Sequence, residues 1–225
     1  MLTFHVTAII RLMTMKVGVI GSGQVAKTLA GGLAALGESV MIGSRDPEKL
    51  RLWAEEEDAE IRVGTFEDTA RYGALLILAV KGAAAEDVVT SLREAIGDKV
   101  VLDTTNPIAD AAPENGVLKF FTDLNRSLME RLQDAAPRAR FVKAFNSVGS
   151  GLMVQPALSQ QPSMFICGND DQAKHLTAGL LETLGWDVVD MGSASAARAI
   201  EPLCMLWCIP GFLHNEWRHA FKLLR

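Results

Sequence analysis

Apolar residues in this chain fall into short runs separated by stretches in which they recur every three or four positions. That alternation of strand and amphipathic helix builds a mostly parallel sheet with helices on both faces. The runs at 16–20, 39–43, 61–63, 74–80, 99–103, 139–145, 164–167 and 186–190 predict strands. Helical spacing covers 24–36, 47–58, 84–96, 125–135 and 171–184, with a brief helix opened by Thr65. Gly37 is the expected C-cap of the first helix. Asp46-Pro47-Glu48 reads as N-cap, first-turn proline and acidic first turn of the second. Residues 108–123 are irregular and suit a substrate-side loop, and 147–162 form a connection rich in Gly, Ser and Pro. From Ala194 to Arg225 the pattern is helical, with Pro202 and Pro210-Gly211 expected to break or kink it.

The first strand runs into Gly21-Ser22-Gly23-Gln24-Val25-Ala26, a G-x-G-x-x-A turn that opens a helix. This is the layout that holds a dinucleotide pyrophosphate. Gly21 permits the tight turn, Gly23 lets backbone approach the phosphates, and Ala26 lets the helix pack on the sheet. The helix start offers unpaired N–H groups and the positive end of its dipole.

The second strand indicates which dinucleotide. NAD binders usually end it in Asp or Glu, which accepts from the ribose 2′-hydroxyl. Here it ends in Gly43-Ser44-Arg45, with no acid before Asp46. A hydroxyl and a guanidinium suit a 2′-phosphate, and Lys49 is within reach from the next helix. Two charge-assisted hydrogen bonds of about 1.5–3 kcal/mol each would favour NADPH over NADH by about a hundredfold or more.

Composition narrows the partners. A net charge of −5 over 225 residues argues against a nucleic-acid surface. Three cysteines (Cys167, Cys204 and Cys208) do not make a disulfide framework, lack partners at zinc-ligand spacing, and read as buried thiols in a reducing cytoplasm. No uninterrupted apolar run reaches membrane-spanning length, so no membrane association is expected. Residues 1–14 carry neither a basic n-region nor a cleavage site. They read as an extension, disordered or arising from a start codon assigned too early.

Ligands of doubly wound sheets lie beyond the carboxyl ends of the strands, which nominates Ala79-Val80-Lys81, Asn106-Pro107 and Ala144 through Asn146. Asn106 serves either as an orienting hydrogen-bond partner or as the Asn-Pro turn closing its strand. Lys81 reads either as a phosphate or substrate contact or as a solvated loop lysine. A general acid is missing. His5, His175, His214 and His219 follow no strand end, and the one tyrosine, Tyr72, has leucine at position 76, so no Tyr-x-x-x-Lys couple exists. Direct hydride transfer between two redox carriers needs stacking and orientation more than a strong acid. No catalytic residue is assigned.

From Met15 onward the chain resembles the dinucleotide-binding oxidoreductases related to NADPH-dependent coenzyme F420 reductase, with the cytosolic domain of the six-transmembrane metalloreductases as a further relative. The resemblance rests on Gly21-Ser22-Gly23 with Gly43-Ser44-Arg45, Asp103 through Pro107, Val142 through Asn146, Cys167 through Asp171 and Arg198 through Pro202. It implies an α/β Rossmann fold with a small C-terminal helical lobe: an NADP-binding core over 15–146, and a lobe over 147–225 that completes the sheet and covers the cleft. It further implies a flavin or deazaflavin stacked on the nicotinamide, with Ser44, Arg45 and Lys49 at the 2′-phosphate. Where those reductases tend to have a proline and an aromatic, Lys81-Gly82 stands instead. The leading expectation is an NADPH-dependent oxidoreductase exchanging hydride with a flavin or coenzyme F420. A small imine or carbonyl reductase, which would need a longer helical domain, and a non-catalytic NADPH sensor are the alternatives. The apolar segment from Ile200 to Leu213 either packs on its own sheet, covers the cleft or forms a homodimer interface.

Overall fold

The computed structural model describes residues 14–57 and 60–225. The expected extension lies outside the described residues except for Thr14, as does His5. Among the described residues, eight strands form one sheet: β1 (Lys16–Ile20), β2 (Ser39–Gly43), β3 (Ile61–Gly64), β4 (Leu75–Leu78), β5 (Val100–Asp103), β6 (Arg140–Lys143), β7 (Ser163–Gly168) and β8 (Asp187–Asp190). Their order is β3-β2-β1-β4-β5-β6-β7-β8. All pair in parallel except β6 with β7, which run antiparallel. The chain winds outward from β1 to β3, then returns to place β4 on the other flank of β1. The switch point of a doubly wound fold therefore lies between β1 and β4, at their carboxyl ends.

Helices cover both faces. On one, α1 (Gln24–Ala35) and α6 (Asp171–Thr183) bury Leu29, Leu33, Leu180 and Leu181 with Phe145 and Trp186. On the other, α3 (Phe66–Tyr72), α4 (Gly82–Ile96) and α5 (Leu128–Ala135) bury Ala70, Val89, Leu92 and Leu132 against Leu76, Leu78 and Phe141. The central strands β4 and β5 are buried throughout, β4 as its unbroken apolar sequence requires and β5 despite ending in Asp103.

Several local expectations shift. Helix α2 (Glu48–Glu56) starts beyond Pro47, and Asp46 pairs its carboxylate with Lys49 at 3.0 Å rather than capping the helix. Helix α5 begins at Leu128, not 125, because Asp123 accepts from the backbone of Asn125 and Arg126 and holds that segment as a turn. After β8 the chain makes a 3-10 turn (Ala194–Ala196), then α7 (Ala197–Ile200) and α8 (Leu203–His214). Pro202 breaks the run, as expected, and α8 accommodates Pro210. Residues 215–225 are not helical. Asn215 takes a left-handed conformation (φ 57°) that ends α8. The tail beyond it folds back, so that Ser163 donates its N–H to the Phe221 carbonyl and Lys222 pairs with Asp187. By length and composition alone, the 21 residues Ala194–His214 are apolar enough to cross a membrane. Here Ala194, Ala197, Ile200, Cys204 and Trp207 pack inward.

Glu130 ties α7 to α5. It closes a capping box with Ser127 and receives the Arg198 guanidinium at 2.6 Å. That hydrogen bond and the Ser127 donors outweigh burial and lower its pKa from 4.5 to about 2. A depressed carboxylate pKa stabilises the fold above the unfolded value and loses that contribution as pH falls through the folded one. Because Arg198 is partly solvated, the contribution is about 1 kcal/mol. Glu130→Gln should therefore be less stable than wild type by about that amount at pH 7. The gap between their urea midpoints should close as pH falls from 4.5 towards 2.

Candidate functional site

Helices α3 and α6, which start at strand ends, and α5, which follows a long loop, have satisfied first turns. Thr65 and Asp68 form a capping box on α3, Asp170 caps α6, and α5 is capped by Ser127 with Glu130. Helices α1 and α4 differ: neither has a side-chain cap or an acidic residue in its first turn. They follow β1 and β4, the two strands at the switch point, so their free N–H groups and positive dipole ends converge on its mouth. An anion fits such a site.

The backbone is shaped to admit one. Gly21 has φ +146° and donates its N–H to the Gly43 carbonyl at 3.1 Å. A Cβ there would collide with the Ala79 carbonyl. Gly23 faces open space, where a Cβ would meet nothing within 4 Å. Ser22 and Gln24 are exposed, Val25 is half-buried and Ala26 is fully buried against the sheet. Gly82 has a similar constraint, since a Cβ would strike the Asn106 carbonyl, so α4 starts in contact with the end of β5. These features form a cradle that side chains would fill.

At the end of β2, Ser44 is buried and its Oγ accepts from the Asp46 N–H at 3.1 Å, leaving the hydroxyl proton to donate outward. Arg45 is exposed and has no ion pair among the described residues. Lys49 is exposed and pairs with Asp46. No carboxylate stands where a ribose-binding acid would, one residue past the strand.

At the ends of β4, β5 and β6 the expected residues come together. Ala79 is nearly buried, Val80 half-buried, and Lys81 exposed at the start of α4. Asn106 donates to the Asn146 carbonyl at 2.7 Å, and Asn146 donates to the Ile200 carbonyl at 2.8 Å. Asn106 thus joins two strand ends, rather than only closing a turn before the buried Pro107. Ala144 is fully buried. Phe145 between them has φ +61°, a conformation bulky residues rarely adopt. It is held by burial and by an edge contact with Trp186 at 6.0 Å. Such strain concentrates where a neighbouring group must be aimed. The segment 108–123 bridges Ile108 to Phe120 and lies close to Leu213 of α8.

Sequence reasoning did not single out the charge cluster beneath these strand ends. The Lys143 ammonium, fully buried, lies 2.7 Å from Asp103 Oδ2 and 3.0 Å from Glu201 Oε1, and donates to the Thr105 carbonyl. Burial opposes its charge, but the two carboxylates outweigh burial and raise its pKa. Asp103 Oδ1 accepts from the N–H and hydroxyl of Thr105. Glu201 accepts from the N–H groups of Leu128 and Met129, capping α5 from the far end of the chain. The available signal was a lysine in a strand otherwise buried on both faces.

No described histidine or thiol competes as an acid. His219 stacks on Trp207 and bonds its carbonyl, and His175 and His214 are exposed. Cys204 and Cys208 hydrogen-bond each other; that bond, with burial, raises the Cys204 pKa, and it outweighs burial to lower that of Cys208. Burial pushes Cys167 up to about 12. Among the described residues no cluster could hold a metal ion.

The family model described as "NADP oxidoreductase coenzyme F420-dependent" matches residues 16–107. The F420-dependent NADP reductase of Methanothermobacter marburgensis is 30% identical over 206 residues, covering 85% of this chain and 90% of that protein. Metalloreductase STEAP3 of Rattus norvegicus is 28% identical over 203 residues, covering 88% of this chain. The chain spans only 39% of that protein's length. A solved candidate F420-dependent NADP reductase from Arthrobacter sp. FB24 superposes with a TM-score of 0.87 at 33% identity, covering 94% of this chain and 100% of that one. With this sheet order and turn already in place, the chain belongs to the F420-dependent NADP oxidoreductase family.

Proposed function

We propose that this oxidoreductase binds NADP(H) across the switch point and exchanges hydride with a flavin-like or deazaflavin acceptor, coenzyme F420 among the candidates. The observation that carries this reading is the pairing of two uncapped helix starts with a cationic, acid-free end of β2. The α1 terminus and Gly21 through Ala26 hold the pyrophosphate. Ser44 donates its free hydroxyl proton to the 2′-phosphate, and the unpaired Arg45 guanidinium closes on it. Lys49 reaches the same phosphate by releasing the exposed Asp46, a pair that contributes little in water.

When bound, the nicotinamide supplies the hydride. Ala79, Val80, Lys81, Pro107 and Ala144 bound its site, and the Asn106–Asn146 clasp fixes the nicotinamide end. Both strand ends are held by bonds to backbone carbonyls, which suits transfer that depends on alignment rather than on proton supply. Helix α8 and the 108–123 loop, packed on each other, border the acceptor side of the cleft.

Arg45→Ala should weaken NADPH by about tenfold to a hundredfold, as loss of one or two charge-assisted bonds requires, and leave NADH unchanged. Fluorescence titration with both nucleotides checks this, and equal effects on both would overturn the assignment of the 2′-phosphate. Stopped-flow mixing of the NADPH complex with FAD, FMN, riboflavin and F420 should show oxidation by at least one. A complex that survives all four would point to a nucleotide sensor instead.

A further inference from the structure

Lys143, Asp103 and Glu201 carry one positive and two negative charges within 3.0 Å of the ammonium, and their side chains are 0–2% exposed. The cluster is thus one unit negative in a place that water does not screen. Thr105 donates to Asp103, and the α5 terminus donates to Glu201. A helix end supplies at most about half a positive charge, so the cluster stays negative. Its members adjoin the candidate nicotinamide residues in sequence. Asp103 and Thr105 precede Asn106, Lys143 precedes Ala144, and the Asn146 side chain donates to the carbonyl of Ile200, next to Glu201.

The nicotinamide ring is neutral when reduced and cationic when oxidised, while the phosphates carry the same charge in both states. Fixed charge near the ring therefore separates the two affinities, and charge near the phosphates does not. We infer that the buried Asp103–Lys143–Glu201 cluster is a redox-positioning element that favours the oxidised ring, so that the site is biased to take hydride from NADPH. The inference rests on the proposed nucleotide site.

At two or three residues' remove, on the order of 10 Å, a unit charge acting through an effective dielectric constant of about 20 changes an affinity ratio by roughly tenfold. The test is the ratio of NADP+ to NADPH dissociation constants, measured by equilibrium titration without any acceptor. Glu201→Gln keeps the side chain's shape and removes one negative charge. It should raise the ratio about tenfold, mostly through weaker NADP+ binding. Asp103→Asn should move the ratio the same way and serves if the first variant does not fold. Glu94→Gln, which removes an exposed surface carboxylate, should leave it unchanged. If both affinities shift together, or neither shifts, the cluster is merely structural and the inference falls. If wild type binds neither nucleotide, the functional reading itself fails.

Discussion

The interaction on which the rest of this structure depends is the burial of one lysine ammonium between two carboxylates. Removing an ammonium from water costs several kcal/mol even after relaxation. The cost is offset only where geometry is close and every remaining donor and acceptor is satisfied. Lys143 meets that condition with Asp103, Glu201 and the Thr105 carbonyl. Asp103 Oδ1 accepts from Thr105, Glu201 accepts from the first two N–H groups of α5, and Asp103 Oδ2 is left to the ammonium alone. Satisfying one charge therefore fixes the ends of β5 and β6, the start of α5 and the position of α7 together. The C-terminal segment is joined to the sheet by a charge that cannot be left unpaired, as well as by apolar contact.

That clamp explains how the strand ends can be irregular. Phe145 sits in the left-handed region, at a cost of roughly 1–3 kcal/mol, between the buried Ala144 and Asn146. A loop would relax out of it. Here Lys143 anchors one side, Asn146 is bonded to Ile200 on the other, and Trp186 packs on the ring. The strain is supported by a dry core on one face and an ion cluster on the other.

What could be read from the sequence was what the chain encodes locally. The strand–turn–helix of Val17 through Ala26 is legible because glycine conformation, strand periodicity and helix start lie within ten neighbouring positions. The cationic end of β2 is legible for the same reason. Lys143 is not, since its partners come from β5 and from a helix late in the chain, and a lone lysine in a strand says nothing about either. Asp46 was misread as a cap because its nearest cation, Lys49, lies one turn ahead and competes with the backbone for the same carboxylate. The tail from Asn215 reads as helix by composition. It is not helical: His219 bonds Trp207 and the Phe221 carbonyl accepts from Ser163 of β7 instead.

On the proposed reading, the cleft is electrically polarised along the dinucleotide. Positive helix ends and Arg45 gather where the nucleotide is always anionic, and the buried cluster of net negative charge lies where it becomes cationic on losing hydride. The first arrangement provides affinity without regard to oxidation state. The second provides direction without affinity for the phosphates. Separating the two lets one fold hold the nucleotide tightly while the bias at the ring is set independently, by residues that touch neither ligand and lie beneath the strand ends rather than in the loops above them.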